Sequence, residues 1–132
     1  MSSRLARAQG LYYLATGVWP LLSMRSFEAV TGPKVDRWLV NTVGVLVSVI
    51  GVTLVLAGRR ERVTQEPAVL AGGSAAALAA IDTVYATRGR ISKIYLLDAL
   101  LEIAIVAAWL VTAITGSGLL SLRKPAGRTI PR

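Results

Sequence analysis

Four apolar runs, each parted from the next by a short charged segment, constrain this chain more than any other feature. They cover roughly residues 9–24, 38–57, 67–87 and 94–115. About 20 residues of helix are needed to cross the hydrocarbon core of a bilayer. The second, third and fourth runs have that length. The first attains it if it begins near Leu5, with Arg7 reaching out to the surface. Backbone groups in lipid must find partners within their own segment, so the runs read as helices. The expected fold is all-α: an integral membrane four-helix bundle with up-down topology and short loops. A single domain would occupy residues 1–115, with a basic, disordered tail over 116–132. A soluble bundle of very apolar helices is the alternative, and the run lengths disfavour it.

Composition narrows the chemistry. Hydrophobic residues make up 54% of the chain, and the mean hydropathy is +0.58. There is no cysteine and no histidine. That excludes a disulfide framework, a thiol nucleophile, a histidine base and the usual zinc, haem and iron–sulfur ligands. No metal or cofactor is expected. The net charge of +8 sits in loops and tails beside apolar runs. Anionic lipid headgroups are the partner this implies, rather than nucleic acid. No A-x-A-like cleavage site follows the first run, so it is expected to stay in the protein.

The N-terminus, the second loop and the tail carry Arg4, Arg7, Arg59, Arg60, Arg62, Arg123, Lys124, Arg128 and Arg132. The first and third loops carry Arg25, Lys34, Arg37, Arg88, Arg90 and Lys93. Nine cations against six favour both termini in the cytoplasm. The first loop contains "TGPK", which is turn chemistry, and Asp36 is placed to cap the next helix. Glu28 in that loop reads as a solvated side chain. Trp19, Trp38 and Trp109 read as ordinary anchors at headgroup depth, with ligand stacking as the alternative.

Small residues suggest how the helices pack. Gly72, Ala76 and Ala80 lie four apart in the third run, as do Gly73 and Ala77. Asn41, Gly44, Ser48 and Gly51 share a face of the second. Such spacing lets helix backbones approach closely in lipid, so these two helices are expected to form the tightest pair. The same faces could instead make a homodimer or hold a larger membrane partner.

The stretch "YLLDALLEIAI" at 95–105 places two acids in an apolar run. Asp98 and Glu102 are four apart and share a helix face. In an up-down arrangement Asp82 and Asp98 both lie roughly 7–8 Å below one surface, at 1.5 Å rise per residue. Asn41 enters at similar depth, and Tyr85 lies within reach of Asp82. The expected ligand-binding set is therefore Asp82, Asp98, Glu102, Asn41 and Tyr85. Either a proton stays on one of the acids or cations neutralise them, with Arg37, Arg88, Arg90 and Lys93 as partners.

Three functional classes follow. In the first, an acid-lined pocket near one membrane surface binds or transports a cation, a proton or an amine- or lipid-like ligand. In the second, the protein is a structural or accessory subunit and the acids are a salt-bridged lock. The third is a lipid-modifying enzyme using paired carboxylates, which ranks last without His, Cys or a metal set. "GLYYLATGVWPLL", followed by a polar loop, resembles the first helix and loop of the emopamil-binding and sigma-2 receptor-like family. That family binds cationic amphiphiles and sterols, and some members isomerise sterols. The chain is shorter and poorer in aromatics and its loops do not match, so no residue is carried over. As a whole it is similar to small four-span proteins of bacterial inner membranes, which implies that location.

Overall fold

The computed structural model describes residues 2–122. They form five helices: α1 (Ser2–Leu22), α2 (Met24–Thr31), α3 (Arg37–Ala57), α4 (Gln65–Thr87) and α5 (Tyr95–Leu122). The all-α class stands, but the four-helix bundle does not. The first loop holds an additional helix, α2. Among the described residues three helices, not four, are long and apolar enough to cross a membrane: Arg37–Ala57, Gln65–Thr87 and Tyr95–Gly116. α1 matches α3 in length at 21 residues, but Arg4, Arg7, Gln9 and its two tyrosines make it less apolar.

α2 forms because its ends are capped. The Ser23 side chain accepts from the Ser26 N–H at 3.3 Å. Trp19 stacks edge-on against Phe27 at 5.4 Å and donates to Ser26 Oγ at 2.8 Å. Gly32 closes the helix at φ +91°, its N–H bonded to Glu28 O at 2.8 Å. Eight residues span only about 12 Å, too short to cross a bilayer. The Gly32 turn is as expected, and Asp36 does occupy the N-cap of α3. Its cap is made by the backbone carbonyl alone, without a side-chain bond.

The helices pack as two intimate pairs, α1 with α3 and α4 with α5. The expected tight pairing of the second and third runs is not formed, since α3 and α4 touch only sparsely. The reason lies in glycines spaced seven apart: Gly10 and Gly17 on α1, and Gly44 and Gly51 on α3 with Gly58 at its C-cap. They meet in antiparallel register. A Cβ on Gly10 would fall 2.7 Å from Gly51 O, and one on Gly51 would fall 2.8 Å from Gly10 O. Gly17 and Gly44 are reciprocal in the same way, each at 2.7 Å from the other's carbonyl oxygen. Only bare Cα positions allow such approach, which brings Cα–H groups against facing carbonyls. A seven-residue repeat keeps this seam aligned along both helices. By contrast, nothing lies within 4 Å of a Cβ built on Gly72 or Gly73.

Beside an apolar core of Ala6, Leu54, Ala71 and Trp109, a few polar side chains point inward, while many large apolar ones point out. Gln9, Asp82 and Glu102 are buried, whereas Leu46, Val49, Leu100, Leu101, Ile103, Leu110 and Ile114 are exposed. Contiguous exposed apolar surface of this kind suits a membrane environment. Pro67 sits in the first turn of α4 and Pro20 near the end of α1. α5 runs on to Leu122, so residues 116–122 of the expected tail are helical. Residues 123–132 of that tail lie outside the described residues.

Candidate functional site

The acids lie where α1 faces α4 and α5. Glu102, on α5, is 1% exposed and accepts a hydrogen bond from Tyr13 Oη at 2.9 Å. Asp98 lies one turn earlier on the same face and accepts from the Tyr12 hydroxyl. Asp82 reaches the cluster from α4 and is 6% exposed. Its Oδ2 is fully enclosed and has no hydrogen-bond partner. Asp82 and Asp98 both lie within electrostatic range of Glu102. Thus three of the five expected ligand-binding residues come together.

The other two do not. Asn41 is exposed on α3, because the glycine face of that helix is given to α1 and its remaining surface turns outward. Equal depth brought Asn41 into the expectation, but depth says nothing about rotation around a helix axis. Tyr85 is 46% exposed and makes no hydrogen bond to an acid.

Nor do the expected cations neutralise the cluster. Among the described residues, no ion pair reaches Asp82, Asp98 or Glu102. Arg37 is bound instead to Glu28, with Nε to Oε1 at 3.0 Å and Nη2 to Oε2 at 2.7 Å. Glu28 also accepts from the Lys34 N–H at 3.1 Å, so it clamps α2 to the start of α3 and is no free surface acid. The Arg37 guanidinium holds the Glu28 carboxyl below its ordinary range. Arg88, Arg90 and Lys93 are exposed. Lys34 lies over the Tyr95 ring at 4.9 Å, one turn before Asp98.

The residues that do surround the acids come mainly from α1. Tyr12 and Tyr13 donate to the two α5 acids. Gln9 continues the polar line: its Nε2 donates to Ala71 O at 2.9 Å, and its Oε1 accepts from Trp109 Nε1 at 2.7 Å. Trp109 is 7% exposed and so is no interface anchor. Ser74 of α4 lies beside the Tyr13 hydroxyl. The signal for this second set was "AQGLYY", three polar side chains within five positions of the first run. Its spacing puts Gln9, Tyr12 and Tyr13 on one helix face.

The line of Trp109, Gln9, Tyr13 and Glu102, with Tyr12 and Asp98 beside it, is a set of donors and acceptors between α1 and α5. It can hold or pass a proton among oxygens. Among the described residues, no group of three or more acids is placed to hold a metal ion. Comparisons of the chain with family models, curated proteins and solved structures find no match.

Proposed function

We propose that the protein is an integral membrane protein that binds a proton or a small organic cation at Asp82, Asp98 and Glu102, and moves it to one membrane surface. The observation that carries this reading is the unpartnered Oδ2 of Asp82, enclosed beside two further acids that pair with no cation among the described residues. Acids at such depth are costly to keep and are a functional-site hypothesis by default. The lack of ion pairs counts against a salt-bridged lock. The near-complete burial of Glu102 gives a reacting lipid no open face, so the enzyme reading gains no support.

The location would be a bacterial inner membrane with both termini cytoplasmic. The start of α1, the loop after α3 and the end of α5 gather at one end of the molecule, consistent with Ser3 bonding to Arg60 O and Gln9 to Trp109. Counted together with residues 123–132, which follow α5 in the sequence, those segments carry nine of the 15 cations. A second reading, an accessory subunit, is favoured by the open small-residue face at Gly72 and Gly73.

The test is proton movement in proteoliposomes holding a pH-sensitive dye under an imposed potential. Flux in the wild type that is lost in Glu102→Gln supports transport. No flux, together with a membrane protein that co-purifies stoichiometrically, would favour the accessory reading.

A further inference from the structure

A second feature lies away from the acids, where α3 ends and α4 begins. These helices are joined by only residues 58–64, yet they splay apart because α3 is committed to α1 and α4 to α5. The splay leaves a cleft of about 240 Å³ lined by Thr53, Leu56, Ala57, Arg60, Thr64 and Pro67. Leu56, Ala57 and Pro67 form its apolar side, Thr53 and Thr64 add hydroxyls, and Pro67 offers no N–H. Its one cation is Arg60. The loop that bears Arg60 is held in place, since Ser3 Oγ donates to the carbonyls of Arg60 at 2.7 Å and Glu61 at 3.0 Å.

We infer that this cleft binds one anionic phospholipid, with the phosphate on Arg60 and the glycerol end between Leu56 and Pro67. Three observations support that occupant. The cleft joins the adjacent ends of two helices long and apolar enough to cross a membrane, which is the depth of lipid headgroups. The guanidinium fork of Arg60 matches a phosphate, and exposed Arg59 and Arg62 outweigh Glu61 beside it. Below the cleft, Val49 and Val52 of α3 and Val69 of α4 are exposed apolar surface along which acyl chains can run. Thr64 lies beside the Glu66 carboxylate, so the phosphate falls to Arg60. The inference is independent of the acid cluster.

The experiment is thermal unfolding and native mass spectrometry of the full chain in detergent, with dioleoyl phosphatidylglycerol, dioleoyl phosphatidylcholine or inorganic phosphate added separately. One phosphatidylglycerol should stay bound and raise Tm by mass action. Phosphatidylcholine and phosphate should do neither. Arg60→Gln should weaken phosphatidylglycerol binding about tenfold, as expected for one charge-assisted contact. Arg90→Gln, which removes an exposed cation from the third loop, should not. Leu56→Trp, which fills the cleft without changing charge, should also weaken binding. Equal binding by Arg60→Gln and wild type would overturn the proposal. So would an equal effect of phosphatidylcholine, or full reproduction by phosphate alone.

Discussion

Tyr13 and Glu102, 89 positions apart, meet through a 2.9 Å hydrogen bond in the most enclosed part of the molecule. The bond ties α1 to α5 and gives the deepest acid its donor. Tyr13→Phe removes the hydroxyl and leaves Glu102 Oε2 without it. An unmade hydrogen bond to a buried polar group costs about 1–3 kcal/mol. Tyr13→Phe should therefore lower Tm in detergent by more than Tyr12→Phe does, because Tyr12 is only half-buried.

Gln9 serves two helices at once. Replacing it with Leu keeps the volume but orphans the Trp109 N–H, which has Gln9 Oε1 as its partner at 2.7 Å. A loss of about 1–3 kcal/mol is expected. Gln9→Leu combined with Trp109→Phe removes both partners and should recover part of that loss. A double-mutant cycle on thermal unfolding measures the coupling; simple additivity would show that the bond contributes nothing.

The glycine seam makes the sharpest contrast. Gly17→Ala and Gly51→Ala would each press a methyl against backbone oxygen at 2.7–2.8 Å, and backbone cannot turn aside. Each should destabilise by about 1–3 kcal/mol, the usual cost of overpacking. Gly72→Ala meets open space and gains helix propensity, so it should be neutral or stabilising by up to about 1 kcal/mol. Denaturation of the three variants side by side tests whether the α1–α3 seam or the α4 face holds the fold.

That contrast also shows what could be read from the chain alone. The apolar runs and the burial of Asp82 and Glu102 were legible, because an acid within a long apolar helix has few places to point. The pairing of helices was not. Four-residue spacing around Gly72 signals the possibility of close packing, while the seven-residue spacing of Gly10, Gly17, Gly44, Gly51 and Gly58 marks where it occurs. Recognising the seam requires matching stripes on two helices and an antiparallel register. α2 was hidden because eight residues are too few for a periodic signal, and "TGPK" just beyond it suggested a loop throughout. The hydrogen-bond donors to the acids were out of reach, since Tyr12 and Tyr13 lie far from α5 in sequence and only the fold sets their facing.

The clamp between Glu28 and Arg37 predicts a pH response at α2. Bonding to Arg37 lowers the folded-state pKa of Glu28 below its ordinary value of 4.5. Its stabilising effect is thus complete above about pH 4.5 and is lost as the pH falls through the lowered value. Amide exchange in α2 should speed up below that point while α3 stays protected. Glu28→Gln should show the faster exchange already at pH 7, and an unchanged α2 in that variant would remove the clamp from the account.

Asp82 separates function from stability. Its Oδ2 is enclosed and unpartnered, so Asp82→Asn removes no hydrogen bond at that atom and takes away an acid from a crowded cluster. The variant should stay within about 1 kcal/mol of the wild type, because relief of repulsion between the acids is offset by the enclosed N–H groups of the amide. The same change should abolish proton movement in proteoliposomes. Asp98→Asn differs, because the amide must share the Tyr12 hydroxyl and find partners for its own N–H groups. It should lower Tm. Thermal unfolding and flux measured on both variants give a two-way result. Stability kept and flux lost in Asp82→Asn marks an acid retained for its chemistry, whereas a large fall in Tm would mark it as part of the packing.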